Sequence, residues 1–112
     1  MYVRDLQDGM LVKPAEHYRW QLRPLQNKRL VNNSRVHDHS AGADELKESG
    51  IHYHVSPIYR STWSTVDNDI AVYLGVKKIK KHYFGVKKQH MLLINGTVAV
   101  VDGYQFKDIE KV

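Results

Sequence analysis

The chain has 112 residues, no cysteine and a formal net charge of +5 at pH 7. This length is enough for one domain with one core, and the lack of cysteine excludes disulfides and thiolate metal sites. No apolar run approaches the ~20 residues that a membrane span needs, and residues 1–6 open no long apolar region of the signal-peptide kind. The sequence therefore predicts a soluble protein, cytoplasmic or virion-bound, with no membrane partner.

The positive charge is concentrated in two segments. Residues 1–30 carry a net charge of +3 and residues 77–88 carry +6, whereas residues 31–76 carry −3 and residues 89–112 carry −1. A local excess of charge tells more about which partner a protein binds than its total net charge does. An anionic partner is therefore sought at these two segments.

The first third of the chain contains one clear strand. Asp8-Gly9 is typical of a turn, and the apolar residues 10–13 predict a short strand that Pro14 ends. Residues 15–36 have no clear periodicity, so they are expected to form an extended arm or a long loop. Small β-barrels often open with such a turn and strand.

Residues 40–50 form the best helix candidate. Ser40 is a suitable N-cap, and Gly50 can end the helix in the left-handed conformation. A helix of this length is marginal alone, so it must dock on the rest of the protein, with Leu46 and Ala43 on the docking side.

Strands are expected on both sides of Pro57. Residues 51–55 alternate between apolar or aromatic side chains and histidine, which predicts a half-buried strand with Ile51, Tyr53 and Val55 inward. Pro57 interrupts this pattern, and residues 58–63 can form a further strand.

The clearest architectural signals come after residue 70. Residues 70–79 predict a strong strand, in which Gly75 indicates a bulge or sharp bend. Asn95-Gly96 between two apolar runs predicts a two-residue type I′ hairpin that pairs Ile94 with Thr97. Neither face of this hairpin is polar, so both faces are expected to be covered.

Consecutive antiparallel strands and one bent long strand predict a small, strongly curved barrel. Residues 70–112, with Ala-Val-Tyr-Leu-Gly, the Asn-Gly hairpin and the closing Asp-Ile-Glu-Lys-Val, resemble the later strands and terminal turn of Src-homology-3-like small barrels. The chain also resembles short proteins of tailed bacteriophages, which implies the host cytoplasm or a virion. The expected fold is mainly β: one antiparallel Src-homology-3-like barrel from residues 3–14 and 51–112. Residues 15–50 are then a long loop insertion that carries one short helix.

A lysine-rich segment is the first candidate site. Phosphate contact needs several cations on one surface, and an aromatic side chain between them can stack on a base. The candidates are Lys77, Lys78, Lys80, Lys81, Tyr83, Lys87 and Lys88. The alternative is a solvated lysine edge that prevents strands of different molecules from pairing.

A segment that alternates arginine with aromatic residues is the second candidate. Arginine is a good partner for phosphates and base planes, and tryptophan stacks well. The candidates are Arg19, Trp20, Arg23, Lys28 and Arg29. Protein interfaces favour the same residue types, and a loop fixed against the barrel by Trp20 is a third reading.

Two histidine pairs are weak metal candidates. Residues i and i+2 of a strand share a face, so each pair can offer two imidazoles to zinc or nickel. The four residues are His37, His39, His52 and His54. Their spacing matches no metal signature, so no cofactor is predicted, and His52 and His54 can simply occupy the polar face of a strand.

Enzyme activity has the least support in the sequence. The chain has no cysteine nucleophile, no glycine-rich phosphate loop and no recognised serine motif. His37 or His39 with Asp38 or Asp44 is the remaining acid–base set for a small nuclease.

Two functions of different classes therefore remain open. The first is a non-enzymatic barrel that binds nucleic acid phosphates through the lysine segment and the arginine segment. The second is a structural or adaptor protein that binds another protein, a virion component, a host factor or a second copy through residues 15–57. Lysines and aromatic side chains on one open concave surface favour the first. An exposed apolar patch around Trp20, Leu22, Leu25 and Trp63, or a symmetric contact, favours the second. Lysines 77–88 scattered over opposite faces would argue for abandoning the nucleic-acid function.

Overall fold

The computed structural model describes residues 1–25, 30–31, 35–36, 45–59, 70–82 and 85–112, and at 30–31, 35–36, 80–82 and 85–87 the description covers the backbone only. The strands are β1 Leu11–Pro14, β2 Tyr18–Pro24, β3 Leu30–Val31, β4 Arg35–Val36, β5 Tyr53–Tyr59, β6 Ala71–His82, β7 Gly85–Ile94, β8 Thr97–Val101 and β9 Ile109–Lys111. Two 3-10 segments cover Val3–Asp5 and Gly103–Asp108, and residues 45–48 form a helical turn. The chain is thus mainly β, as predicted.

Seven strands form one curled, half-barrel sheet with the order β2-β5-β8-β7-β6-β1-β9, while β3 and β4 pair with each other. Every adjacent pair is antiparallel except β5 and β8, which run parallel. The prediction of a wholly antiparallel barrel is wrong at this point, and the sheet is mixed. Local turn signals predict that strands adjacent in sequence pair with each other. They do not predict where in the sheet a strand that follows a long connection is inserted.

The Asn95-Gly96 hairpin is confirmed residue by residue. Ile94 pairs with Thr97, and the register continues to Met91 opposite Val100. Asn95 has φ 50° and Gly96 has φ 78°, which are the positive angles that a type I′ turn requires.

Apolar clusters cover both faces of this hairpin. Leu92, Ile94 and Ala99 belong to the main core, where Trp20 and Phe106 are the largest fully buried side chains. The opposite face contributes to a second core made of Leu46, Ile51, Ile79 and Val100. The predicted burial of both faces is therefore confirmed.

Gly75 bends β6 as predicted. The register between β6 and β7 shifts between Tyr73 and Gly75, which marks a bulge. Gly75 has φ 109°, and a Cβ atom at this position would lie 3.1 Å from Oδ1 of Asp8. The backbone angle thus requires glycine here, whereas the exposed Asp8 side chain can move away from an added Cβ.

The prediction of a loop for residues 15–36 is wrong for Tyr18–Pro24. This segment is strand β2, which pairs with β5 over its whole length. Trp20 is 0 % exposed and lies opposite Pro57. The sheet therefore takes a strand from the region assigned to an insertion, because burial of one tryptophan outweighs weak local periodicity.

Strand β5 also differs from the prediction. It starts at Tyr53, which is exposed, and it continues through Pro57, which is buried. Strand β8 pairs with β5 only at Tyr53 and His54. Within the described part of the chain, one edge of β5 thus has no strand partner at Pro57, so a residue without an N–H group is tolerated there.

The helical turn agrees with the sequence where it is described. Leu46 is 2 % exposed and packs in the second core, and Gly50 has φ 87°. Ser40 and Ala43 lie outside the described residues. Among the described residues, no helix is both long and apolar enough to cross a membrane.

Candidate functional site

The lysine-rich segment lies on the longest hairpin of the sheet. We call residues 75–82 of β6 and 85–90 of β7 the basic ribbon. Lys77 pairs with Gln89, and Lys78 pairs with Lys88. Lys78 and Lys88 are both exposed. Their side chains therefore lie next to each other on one face of the ribbon, because directly opposite residues share a face.

The other face of the ribbon is partly covered. Ile79 is 2 % exposed and packs against Leu46 and Ile51 in the second core. Lys77 alternates with Lys78 along β6, so it lies on the Ile79 side, where it is half-buried.

The remaining lysine-segment candidates are only partly described. Lys80 and Lys81 belong to β6, and Lys87 stands opposite Ile79 in the register. Tyr83 lies outside the described residues. The lysines of the segment thus occupy both faces of the ribbon, and Lys78 with Lys88 are the two whose exposed side chains are described together.

The arginine segment is part of strand β2. The Arg19 guanidinium donates a hydrogen bond to the carbonyl of Tyr18 at 2.9 Å, and Nε of Arg23 donates to Oε1 of Gln21 at 2.9 Å. Trp20, between the arginines, is fully buried and cannot stack on a base. Lys28 and Arg29 lie outside the described residues.

The two predicted basic segments do not form one surface. Strands β5, β8 and β7 separate β2 from β6. Arg23 pairs with His54, His54 with Val100, and Val100 with Met91, so these four residues share a face. Lys88, an odd number of residues from Met91 along β7, lies on the opposite face. Lys78 and Lys88 therefore do not converge with Arg23, whereas Lys77 lies on the Arg23 side of the sheet. Trp20 is buried and contributes to neither surface.

The histidine pairs are not assembled into a metal site in the described part of the chain. His52 is exposed and His54 is half-buried. His37 and His39 lie outside the described residues. Within the described ranges, no group of three or more His, Asp or Glu side chains could hold a metal ion.

A polar cluster around His54 was not predicted from the sequence. Nε2 of His54 lies 3.5 Å from Oδ2 of Asp102, and Nδ1 of His54 lies 3.4 Å from Oγ of Ser56. Nε2 of Gln105 donates a hydrogen bond to Oγ of Ser56 at 2.9 Å. We call these four residues, together with Gln89, the His54 network.

Asp102 is held in this network by groups from three directions. Nε2 of Gln89 donates to Oδ1 of Asp102 at 3.1 Å. The Asp102 side chain also accepts from the backbone N–H of Gln105, whose side chain accepts from the Asp102 N–H at 3.1 Å. This reciprocal capping box begins the 3-10 helix Gly103–Asp108. Asp102 therefore has a fixed position beside His54.

Gln89 contains the one orphaned polar atom found among the described side chains. The residue is 6 % exposed, and its Oε1 atom is buried with no hydrogen-bond partner. A buried amide oxygen without a donor costs about 1–3 kcal/mol. Such groups are rare in folded proteins and mark places where a ligand or water is accommodated.

The sequence alone could have predicted that two members of this network lie together. His54 and Ser56 are two residues apart on one strand, so they share a face. Asp102 and Gln105 approach them only because β5 pairs with β8 in parallel, and nothing local predicts that pairing. This is why the network could not be assembled from sequence spacing.

A second histidine is part of the core. Nδ1 of His90 lies 2.9 Å from the Tyr73 hydroxyl, and the His90 ring packs edge-on against Phe106. Burial lowers the pKa of His90 from its ordinary value, although the charge of Asp102 acts in the opposite direction. Burial, with a contribution from Asp8, raises the pKa of Tyr73. Both groups are therefore neutral at pH 7.

Comparisons with known proteins give no relative from which a function could be transferred. The chain matches no family model, no curated protein and no solved structure. The function is inferred from the described geometry and from the charge pattern of the sequence.

Proposed function

We propose that the protein is a nucleic-acid binder that contacts phosphates through one face of the basic ribbon, the face of Lys78 and Lys88. Lys77 lies on the other face, which counts against a single surface built from the whole lysine segment. The observation that supports this most is the direct pairing of two exposed lysines, Lys78 and Lys88. They lie in residues 70–101, a stretch that contains six lysines and no acidic residue. A lysine-rich segment of this kind is the electrostatic footprint of phosphate binding.

The lysine pair is unfavourable for folding alone. Like charges directly opposite each other on neighbouring strands destabilise a sheet by up to about 1 kcal/mol. An anion bound between Lys78 and Lys88 would remove this repulsion. The pair is therefore better explained by an anionic partner than by the stability of the sheet.

The expected binding mode is contact with the backbone of the nucleic acid. Lysine ammonium groups act as point charges toward phosphates, and they carry little information about base identity. Trp20 is buried, so this aromatic side chain is not available for stacking. Binding should therefore tolerate different sequences and weaken strongly with salt.

The test is fluorescence anisotropy with labelled single-stranded and double-stranded DNA and RNA over a salt series. Micromolar or tighter binding that falls steeply with salt is expected. Each phosphate contact contributes about 0.7–0.9 to the slope of log K against log salt. The double substitution Lys78→Ala with Lys88→Ala should thus lower the magnitude of the slope by about 1.4–1.8.

A matched control removes the same charge elsewhere. Lys107 and Lys111 are exposed and belong to the 3-10 helix and β9, away from the ribbon. Lys107→Ala with Lys111→Ala should leave the slope unchanged. Equal effects of the two double variants would show that only net charge matters. Absence of binding at low salt would refute the proposal and leave docking to another protein as the role of this surface.

We further propose that the sheet is related to Src-homology-3-like barrels, as the resemblance implied. The order β9-β1-β6-β7-β8 and the 3-10 helix between β8 and β9 support this relation. Strands β2 and β5 are then an addition to one edge. Cross-strand nuclear Overhauser effects between Val12 and Lys111 and between Leu11 and Val72 are expected, and their absence would contradict this strand order.

A further inference from the structure

We propose that the His54 network is an acyl-transfer site, with Ser56 as the nucleophile, His54 as the general base and Asp102 as the positioning residue. Its substrate class is a carboxylic ester small enough to reach a half-buried serine. This activity is separate from nucleic-acid binding, because the network lies on the face of the sheet opposite to Lys78 and Lys88. Each of the two functions can therefore fail without the other.

The donors and acceptors of the network form one directed chain. Ser56 Oγ lies 3.4 Å from Nδ1 of His54, and Nε2 of His54 lies 3.5 Å from Oδ2 of Asp102. In the proposed chain the hydroxyl donates to Nδ1, and Nε2–H donates to the carboxylate. This order requires a neutral imidazole with its proton on Nε2. A serine, a histidine and a carboxylate in this order form the constellation that activates a hydroxyl, here with exchanged roles of the ring nitrogens.

The two key distances are longer than in a tight hydrogen bond. Contacts between nucleophile and base are often loose without substrate and shorten when the substrate binds. Ser56 and His54 project from the same face of one strand, so a small side-chain rotation is enough to close the gap. Strand β5 thus supplies a rigid base for both groups.

Two observations indicate more than a structural role. Gln105 Nε2 donates a hydrogen bond to the same Ser56 Oγ at 2.9 Å, which holds the hydroxyl beside His54. The buried Oε1 of Gln89 has no partner among the described residues, although Gln89 also holds Asp102. An unpartnered buried acceptor next to the network marks a place where a donor from a ligand or water is accommodated.

The reaction consists of two balanced steps. Ser56 Oγ attacks the ester carbonyl carbon while its proton moves to Nδ1 of His54, and the C–O bond to the alcohol breaks as His54 returns that proton to the leaving oxygen. Water then attacks the acyl-serine, transfers its proton through His54 to Ser56 Oγ, and releases the carboxylic acid. The sum is ester plus water giving acid plus alcohol, with no oxidant or metal required.

The first experiment is labelling of the intact protein with a fluorophosphonate, which reacts covalently with activated serines. Mass spectrometry should show one added group, and peptide mapping should place it on Ser56. Ser56→Ala should abolish the label. The control Ser49→Ala should retain it, because Ser49 is an exposed serine whose hydroxyl only bonds the carbonyl of Glu45.

Kinetics with p-nitrophenyl acetate test the assigned roles. His54→Gln should lower the labelling rate and kcat by about 10²-fold, the usual contribution of a general base. Asp102→Asn keeps an acceptor for the capping box, so the fold should persist, and kcat should fall by at least about 10-fold with KM unchanged. A wild-type protein without label on Ser56 would refute the proposal, as would a Ser56→Ala variant that hydrolyses the ester at the wild-type rate.

Discussion

Replacement of Gly75 with alanine should lower the free energy of unfolding by more than the same replacement at Gly96. A non-glycine residue held at φ 109° stores about 1–3 kcal/mol of backbone strain. The new Cβ would also lie 3.1 Å from Oδ1 of Asp8, which is the end of an exposed side chain and can move away. We therefore expect a loss of about 2–3 kcal/mol, out of the roughly 5–15 kcal/mol that typically stabilises a domain.

Urea unfolding monitored by tryptophan fluorescence measures this loss, and Gly96→Ala provides the control. Gly96 also has a positive φ, 78°, but an added Cβ would have no neighbour within 4 Å. The control should lose about 1–2 kcal/mol. The double variant Asp8→Ala with Gly75→Ala should be more stable than Gly75→Ala alone by less than about 0.5 kcal/mol. A Gly75→Ala variant that loses less than about 1 kcal/mol, or one rescued fully by Asp8→Ala, would refute backbone strain as the main cause.

Three further predictions concern the cores. Trp20→Ala should lose about 3–5 kcal/mol in urea unfolding, since Trp20 is fully buried. Ile79→Ala should lose about 2–4 kcal/mol and should accelerate amide exchange at residues 77–79, because Ile79 joins the basic ribbon to the second core. The pKa of His90 is lowered from 6.5, mainly by burial and against the effect of Asp102, so the unfolded state takes up the proton first and stability should fall as the pH drops below 6.5. His90→Gln should make this loss shallower between pH 7 and pH 5 in urea unfolding at each pH.

Each of these predictions has a contrary outcome. A loss below about 1 kcal/mol for Trp20→Ala would mean that β2 does not pack on the core. Unchanged amide exchange in Ile79→Ala would mean that the ribbon is ordered without the second core. Equal pH dependence in His90→Gln and wild type would assign the acid sensitivity to other groups.

The later strands were predictable because their signals are local. Asn95-Gly96 fixes both the turn type and the register of β7 with β8, and Gly75 marks the bulge in β6 within a single stretch of sequence. The helical turn before Gly50 was predictable for the same reason. In each case, the backbone preference of one or two residues determines the structure without help from distant contacts.

The place of β2 and the candidate sites depended on distant contacts. Tryptophan is common both in protein interfaces and in buried strands, so the sequence does not show which role Trp20 has. The fold shows that Trp20 is buried in the core. Successive side chains of a strand point to opposite faces, so Lys77 and Lys78, which are neighbours in sequence, lie on different faces of the ribbon. His54 meets Asp102 across the parallel strand pair, a contact that no spacing in the sequence encodes.

The pairing of β1 with β9 has a consequence for the order of folding. Val12 lies opposite Lys111, so this contact closes a loop of nearly the whole described chain, whereas the hairpin of β7 and β8 closes over two residues. Loop closure costs about 0.6 kcal/mol more for each doubling of length, and topologies rich in distant contacts fold in milliseconds to seconds. The meander of β6, β7 and β8 should form first, and the strands at the two edges of the sheet should join last. Until then, the meander exposes both of its unpaired edges, which are the edges at which two such intermediates can pair with each other.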